Sequence, residues 1–249
     1  MTPQAVGTIP TVDTLHGGRV KIVQPEEGYR VAIDPVLLAA SISPAPGSTV
    51  VDVGCGTGAV LFCLLSRLAG VRGIGLEQHE PFADLARRGI KENEFLPRAE
   101  VVVGDLAKPP ERLIGACDAV MTNPPFFEVG TVPDRPGQDA THAVTDLSLR
   151  SWITQCVSLL KRGGQFSIIH RAERLADIIQ ALSGCGSIVV IPLWPKANMV
   201  AKRVIVTALK DRKSPTTLTP GLVLHSDDDA YTDEAAAILR GGEALQFVS

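Results

Sequence analysis

The feature that most constrains the fold is an alternation, from Ser48 onward, of short apolar runs with longer stretches whose apolar residues recur at helical spacing. This order predicts βαβ units, in which right-handed crossovers place the carboxyl ends of the strands along one edge of the sheet. We therefore expect an α/β fold with a doubly wound, seven-stranded, mostly parallel sheet. The predicted strands are 49–53, 72–76, 100–103, 118–122, 165–170, 187–193 and 203–209. The predicted helices are 59–68, 81–93, 147–161 and 172–182.

The segment before Ser48 follows a different pattern. Two alternating stretches, 19–23 and 29–33, flank turn-forming residues at 25–28, which predicts a small N-terminal β-hairpin. Asp34 followed by Pro35 is typical of a helix N-terminus, so we expect Asp34 to cap a short helix with residues 36–42 as its body. We accordingly divide the chain into a hairpin and helix extension at 1–47 and a main domain at 48–249.

Composition excludes several classes of protein. With 45% hydrophobic residues, a chain of 249 residues can bury a sizeable core, which excludes disorder as the main state. No apolar run approaches the roughly 18 residues that a membrane-spanning helix needs, and no secretory signal is visible, so we expect a cytoplasmic protein without membrane contact. The five cysteines form no Cys-x-x-Cys pair, so we expect neither a disulfide framework nor a bound metal.

A strand, a glycine-rich turn and a helix follow one another at 50–59, where the sequence reads Val-Val-Asp-Val-Gly-Cys-Gly-Thr-Gly-Ala. The glycines permit a tight turn and close approach of a ligand to the backbone. Glu77 ends the second strand, where a carboxylate can bind both hydroxyls of a ribose or can simply cap a helix. The candidate ligand-binding residues are Asp52, Gly54, Gly56, Gly58 and Glu77. Taken alone, they do not separate NAD from other adenosine-containing ligands.

Further polar groups follow the third and fourth predicted strands. Asp105 can accept the exocyclic amine of an adenine ring, or can cap the next helix. The fourth strand ends in Asn123-Pro124-Pro125-Phe126. The two prolines have no N–H donor and form a stiff segment, which leaves the Asn123 side chain and the Pro124 carbonyl as fixed acceptors.

This pair of acceptors suits chemistry at an exocyclic amino group of a base. Such an amine is a weak nucleophile because its lone pair is delocalised into the ring. Asn123 and Pro124 can each accept one N–H and thereby direct the lone pair at an electrophile, and Phe126 can stack on an extruded base. The proton can leave after the transfer, so no histidine needs a role. Asn123, Pro124 and Phe126 are therefore the predicted catalytic residues.

In this order and spacing, the glycine-rich turn, Glu77, Asp105 and the Asn-Pro-Pro-Phe segment resemble the class I S-adenosylmethionine-dependent methyltransferases that act on amino groups. The resemblance covers residues 48–209 and implies a Rossmann-like fold and in-line transfer of the sulfonium methyl group. It also implies that the glycine loop approaches the methionine part of the cofactor, that Glu77 holds the ribose, and that Asp105 and the Leu106 backbone hold the adenine. A hydride-transfer site has no place for the Asn-Pro-Pro-Phe segment, which disfavours NAD.

The flanking segments resemble one group of that class, the YfiC-like bacterial enzymes that methylate the amine of an anticodon-loop adenine in valine tRNA. By this resemblance Asp34 lies near the methionine end of the cofactor or near the target base. Val31 and Ile33 stand where this group more usually has an aromatic residue and a leucine, and Phe126 stands where tyrosine is also common. The segments that carry the resemblance are 15–20, 24–25, 28–30, 34–40, 201–203, 210, 222–225 and 231–232.

A tRNA substrate requires a local basic surface, because a net charge of −3 gives no general attraction to polyanions. One cluster of basic residues comprises Lys196, Lys202, Arg203, Lys210, Arg212 and Lys213. Phosphate contact and an ordinary lysine-protected strand edge explain it equally well. The loop 130–141 carries Arg135, follows the Asn-Pro-Pro-Phe segment and is expected to close over the substrate. The residues expected to bind substrate are Pro125, Arg135, Lys202 and Arg203.

The resulting hypothesis is an S-adenosylmethionine-dependent N-methyltransferase that acts on an adenine amine in tRNA. Methylation of a protein glutamine amide at N5 is the first alternative, although such enzymes usually have a larger helical N-terminal domain. Methylation of an amino group in rRNA or DNA is the second, and for DNA no separate target-recognition domain is visible. A cofactor-binding RNA-interaction module without activity is the non-enzyme alternative, against which the intact Asn123-to-Phe126 segment argues.

Overall fold

The computed structural model describes residues 10–26, 31–125 and 147–246. Two site predictions, Phe126 and Arg135, therefore lie outside the described residues, as does the loop 130–141. The strands are β1 (Thr11–Leu15), β2 (Val20–Gln24), β3 (Thr49–Val53), β4 (Arg72–Glu77), β5 (Ala99–Val103), β6 (Cys117–Thr122), β7 (Leu160–Arg171), β8 (Cys185–Trp194), β9 (Arg203–Lys210), β10 (Thr217–Leu218) and β11 (Leu222–Val223). The helices are α1 (Asp34–Ala40), α2 (Ala59–Arg67), α3 (Glu80–Glu92), α4 (Leu149–Leu159), α5 (Leu175–Ala181) and α6 (Asp233–Ala236).

The central sheet has the strand order β10, β8, β9, β7, β6, β3, β4, β5, and β11 also pairs with β8. Neighbouring strands are parallel except at β9, which is antiparallel to both β7 and β8. Because β10 and β11 have two residues each, the body of the sheet consists of the seven predicted strands. The winding reverses at β3, which pairs with both β4 and β6, and such a switch point leaves a crevice at the carboxyl ends of the strands.

Helices cover both faces of the sheet, as a doubly wound fold requires. Successive strand residues point to opposite faces, so Val50 belongs to the hydrophobic cluster under α1, α2 and α3, and Val51 belongs to the cluster under α4 and α5. Leu61 of α2 and Ile153 of α4 are fully buried in these two clusters. The mostly parallel, doubly wound sheet predicted from the sequence is confirmed.

The small N-terminal hairpin is also confirmed, but one of its strands differs from the prediction. β2 corresponds to the predicted stretch 19–23, whereas its partner is β1, and residues 31–33 form no strand. The turn lies at His16–Gly18, where all three residues have positive φ angles. Two consecutive glycines adopt such angles without steric cost, which allows the chain to reverse between β1 and β2. Of the turn predicted at 25–28, residues 27 and 28 lie outside the described residues.

The hairpin packs on α3 through Asn93, which follows that helix. The Lys21 N–H donates to Asn93 Oδ1 (2.8 Å), and Asn93 Nδ2 donates to the Lys21 carbonyl (2.7 Å), so the side-chain amide acts like a partner strand. Val20 and Ile22 are completely buried in the cluster that also contains α1 and α2. The N-terminal segment and the sheet therefore share one hydrophobic core.

Several predicted helix ends are corrected by the structure. Asp34 is the first residue of α1 and makes no capping hydrogen bond, because the N–H groups of Val36 and Leu37 donate to the Ile33 carbonyl instead. α4 ends at Leu159, before the predicted end at 161, because Leu160 is extended and pairs with Cys117 of β6. The predicted helix 172–182 consists of a 3-10 turn and α5. None of the helices in the described ranges combines the length and apolarity needed to cross a membrane.

Candidate active site

A cavity of about 220 Å³ opens at the carboxyl ends of β3, β4, β5 and β6. The predicted site residues that line it are Gly54, Gly56, Glu77, Asp105, Leu106, Asn123, Pro124 and Pro125. Five other predicted site residues are not part of its described lining: Asp34, Asp52, Gly58, Lys202 and Arg203. The strand ends thus bring together most of the residues to which the sequence assigns ligand contacts.

The glycine-rich turn is held against β4 by its own backbone. The N–H groups of Gly54 and Cys55 both donate to the Leu76 carbonyl, at 2.8 and 3.2 Å. Gly56 has a φ of +54°, and a Cβ there would meet nothing within 4 Å, so this backbone faces open space. Gly58 differs, since a Cβ there would come within 2.5 Å of the Phe62 ring. A ligand can therefore approach the backbone at Gly56, whereas Gly58 leaves room for the Phe62 ring that packs against the turn.

Glu77 is buried and is held by the backbone on both sides. Its Oε2 accepts the Gly56 N–H and its Oε1 accepts the His79 N–H, both at 2.9 Å. Each carboxylate oxygen can accept more than one hydrogen bond. The carboxylate is thus fixed in orientation while it keeps acceptor capacity on both oxygens, which fits the two hydroxyls of a ribose.

Asp52 lies behind the glycine turn, not in the cavity lining. Its Oδ2 accepts the Leu61 N–H (3.2 Å), which ties β3 to α2, and its Oδ1 is buried without a hydrogen-bond partner among the described residues. Burial raises the pKa of Asp52 to about 7; the Leu61 N–H opposes this shift, and the nearby Glu77 adds to it. The structure therefore places Asp52 where it supports the turn.

Asp105 lies at the adjacent strand end, after β5. Its Oδ1 accepts the Ala107 N–H (2.8 Å), which stabilises a turn at this position. The next helical residues are the 3-10 turn Glu111–Leu113, so Asp105 does not cap a helix. Asp105 and the buried Leu106 form the part of the lining farthest along the sheet from β6.

Asn123 and Pro124 directly follow β6. Asn123 Oδ1 is buried and has no hydrogen-bond partner among the described residues. A buried acceptor left unpaired costs about 1–3 kcal/mol, and the prolines that follow offer no N–H to satisfy it. A polar atom kept in this state at the edge of a cavity fits a site that receives an N–H from a ligand.

Trp152 of α4 lines the same cavity and was not singled out in the sequence. Its indole Nε1 donates to Thr122 Oγ1 (2.9 Å), and the Thr122 hydroxyl donates to the Val53 carbonyl (2.9 Å). No local motif marks Trp152, because its importance arises from contacts between distant parts of the chain. The other lining residues without a predicted role include Gln24, Pro25, Val31, Pro35, His79 and Phe82.

The basic cluster predicted at 196–213 is divided between two edges of the sheet. β9 runs antiparallel to its neighbours, so Lys202 and Arg203 lie at the edge where β7 ends, and Lys210 lies at the opposite edge, with its Nζ donating to the Leu160 carbonyl (2.7 Å). Arg203 Nε also donates to Asp34 Oδ2 (3.1 Å). Asp34 thus joins α1 to β9 beside the cavity.

Two further basic residues share the edge of Lys202 and Arg203. Arg171 ends β7 and pairs in register with Arg203, and Arg174 follows in the next turn. Each guanidinium forms an ion pair with a neighbouring acid, Arg171 with Glu173 and Arg174 with Asp177. The sequence did not mark these arginines, because their proximity to Arg203 depends on the direction of β9.

Comparisons with known proteins agree with this geometry. Residues 30–183 match the family model of the methyltransferase small domain. The chain is 24% identical to the tRNA1(Val) (adenine(37)-N6)-methyltransferase of Actinobacillus succinogenes, over 85% of this chain and 89% of that protein. It is 27% identical to the enzyme of the same name from Shewanella sp. strain MR-4, over 83% of this chain and 89% of that protein.

Solved structures show the same fold. A predicted O-methyltransferase from Agrobacterium tumefaciens superposes with a TM-score of 0.71 at 24% identity, over 86% of this chain and 98% of that chain. Geranyl diphosphate C-methyltransferase from Streptomyces coelicolor, in complex with S-adenosyl-L-homocysteine, has a TM-score of 0.50 at 16% identity, over 70% of this chain and 76% of that chain. The Rossmann-like fold predicted from the sequence is thereby confirmed, and the family model confirms the methyltransferase class. Since the family model spans well over half of the 249 residues, the chain belongs to the methyltransferase small-domain family.

Proposed function

We propose that the protein transfers a methyl group from S-adenosylmethionine to the N6 amine of an adenine in tRNA, and that the adenine is position 37 of tRNA1(Val), as in the relatives with that name. The observation that carries the proposal is Asn123 Oδ1, which is buried at the edge of the cavity and has no hydrogen-bond partner among the described residues. An amide oxygen and a proline carbonyl at one strand end suit an amine with two N–H groups.

The lining residues are assigned to the cofactor by what each can accept or approach. When bound, S-adenosylmethionine supplies an electrophilic methyl group on its sulfonium. Glu77 accepts hydrogen bonds from the ribose hydroxyls, and the open backbone at Gly56 allows close approach of the cofactor. Asp105 and Leu106 border the adenine. Asp52 acts indirectly, since it lies behind the turn and joins β3 to α2.

Asn123 and Pro124 orient the target amine. Each oxygen accepts one N–H of the adenine, which directs the nitrogen lone pair away from the two acceptors and toward the electrophile. The proton leaves to solvent after the transfer, so the mechanism needs no histidine base.

The RNA is proposed to bind at the edge of the sheet that carries Lys202 and Arg203. Pro125 lines the cavity next to the acceptors and is assigned to the target base. We retain Phe126 as the residue that stacks on this base and Arg135 as a substrate contact. A tRNA substrate is consistent with the cytoplasmic location expected from the sequence, and the division of the chain at 47/48 remains part of this proposal.

The substrate class can be tested by transfer of radiolabelled methyl from S-adenosylmethionine to bulk RNA from a strain lacking the gene. Bulk protein and DNA serve as parallel acceptors, and nucleoside analysis identifies the product. We expect label in N6-methyladenosine of tRNA. Label in protein would instead support glutamine methylation, and cofactor binding without any transfer would support a binding module.

The role of Asn123 can be tested by Asn123→Ala. We expect turnover to fall about 100-fold or more, as when an enzyme loses one positioned electrostatic group, while the Kd for S-adenosylhomocysteine stays within twofold. Gln180→Ala is the matched control, because it also removes an amide, from the exposed face of α5. Unchanged turnover in Asn123→Ala would contradict the mechanism.

A further inference from the structure

Trp152 connects three elements of the active site. Its Nε1 donates to Thr122 at the end of β6, and Thr122 in turn donates to the carbonyl of Val53, the last residue of β3; both distances are 2.9 Å. Thr122 is completely buried and Trp152 nearly so. The indole ring also borders the glycine turn, since a Cβ at Gly54 would come within 3.2 Å of it. One side chain therefore contacts both the strand end that precedes Asn123 and the turn that faces the cofactor.

The contacts of Trp152 and Thr122 lie directly before Asn123, at the point where strand pairing ends. Thr122 is the last residue of β6 that pairs in the sheet, opposite Val53 on one side and Ile168 on the other. Residues 123–125 are not part of a strand, and Pro124 and Pro125 lack the N–H groups that would continue the pairing. The Asn123 side chain also has no hydrogen bond to a described residue that could fix its oxygen. The direction of this oxygen thus depends on how firmly the preceding residue is held.

We propose that the Trp152–Thr122–Val53 hydrogen-bond chain positions Asn123 for methyl transfer, so that Trp152 and Thr122 are positioning residues for the reaction. The inference deepens the proposed function and rests on it. The chain anchors the side chain of Thr122 to the neighbouring strand and to α4 at the same time. It fixes the peptide between Thr122 and Asn123 and thereby the direction of the acceptor. The acceptor can orient the amine for methyl transfer only if it is already aligned before the substrate binds.

The first variants to test are Thr122→Val and Thr122→Ser. Valine has nearly the shape of threonine but removes the hydroxyl that joins Trp152 to Val53, whereas serine retains it. We expect kcat to fall about 10-fold or more in Thr122→Val, because small misplacements of catalytic groups are costly. KM for tRNA and the Kd for S-adenosylhomocysteine should change by less than about threefold. Thr122→Ser should recover most of the lost kcat.

Trp152→Phe tests the donor end of the chain. It removes the indole N–H and retains an aromatic ring at the cavity, so it should reproduce the loss of kcat seen in Thr122→Val. Trp194→Phe is the matched control: Trp194 is the other tryptophan of the chain, and its Nε1 donates to the Pro220 carbonyl (2.9 Å), outside the cavity lining. This control should leave kcat unchanged. If Trp152→Phe proves unstable, the threonine variants still decide the question.

An NMR measurement makes the test independent of activity. The chain has two tryptophans and three asparagines, so indole and asparagine side-chain amide signals can be assigned with single variants. In Thr122→Val we expect the Trp152 indole and the Asn123 amide signals both to move, while those of Trp194 and Asn198 stay in place. If the Trp152 signal moves but kcat and the Asn123 signal do not, the inference is overturned. If wild-type protein transfers no methyl to tRNA, the proposed function fails, and the Asn123 signal alone decides the positioning role.

Discussion

Replacing Glu77 with glutamine should weaken cofactor binding about 100-fold with little change of shape. Both carboxylate oxygens of Glu77 accept backbone N–H groups at 2.9 Å. The amide of glutamine would therefore present an NH₂ group to one of these donors and would also lose an acceptor for one ribose hydroxyl. Hydrogen bonds to charged groups contribute about 1.5–3 kcal/mol each. The loss of one ribose contact, and the weakening of the other because a neutral amide oxygen replaces a charged one, by about 1.5 kcal/mol each amount to about 3 kcal/mol, or roughly two orders of magnitude in Kd.

Calorimetry with S-adenosylhomocysteine measures this loss directly, and a ligand analogue provides the control. An S-adenosylhomocysteine analogue without the two ribose hydroxyls cannot use Glu77, so wild-type protein and Glu77→Gln should bind it with nearly equal affinity. The hydroxyl-bearing ligand alone should then distinguish the two proteins. A Kd for S-adenosylhomocysteine within threefold of wild type in Glu77→Gln would refute the ribose assignment. An equal loss for both ligands would show that Glu77 acts only by holding the glycine turn.

Three further predictions concern stability and RNA binding. Burial raises the pKa of Asp52 to about 7, so between pH 4 and pH 7 the folded state keeps a proton that the unfolded state, with the ordinary pKa of 3.8, releases. The unfolding free energy should therefore fall from pH 4 to pH 7, by at most about 4 kcal/mol. Urea unfolding of Asp52→Asn should lack this pH dependence. Asn93→Ala removes both hydrogen bonds to Lys21 and should lower the unfolding free energy by about 2 kcal/mol, and a loss below about 0.5 kcal/mol in urea would contradict the docking role. Lys202→Ala should raise KM for tRNA and reduce the salt dependence of binding by about one unit, whereas Lys213→Ala, beyond the opposite end of β9, should do neither.

The sequence predicts this fold well because most of its signals are local. Short apolar runs predict the seven strands. Because parallel strands bring the groups that follow them to one edge of the sheet, the sequence also predicts that Glu77, Asp105 and Asn123 lie together. The partner of β2 was wrong because two competing turns, at His16–Gly18 and at 25–28, both had suitable residues. Local composition could not decide between them.

Other features of the site depend on long-range geometry, which residue types do not encode. The sequence predicts the basic cluster as one surface because it does not show the direction of β9, whose antiparallel course separates Lys202 from Lys210. Asp34 is predicted as a helix cap, which is wrong, since its side chain pairs with Arg203, 169 residues away in the chain. Its place near the methionine end of the cofactor or near the target base stays a prediction. Trp152 was assigned only to a helix, since its partner Thr122 lies across the sheet.

The part of the cavity lining that comes from the N-terminal segment limits how this enzyme can be recombined with its relatives. Gln24, Pro25, Val31 and Pro35 all border the cavity, and the Val31 N–H donates to Gln24 Oε1 (3.3 Å). A chimaera that joined residues 1–47 of one family member to 48–249 of another would therefore exchange one side of the cofactor pocket together with the hairpin. Such hybrids can fold and still bind the cofactor poorly, because residues of both segments line the pocket and have to match each other.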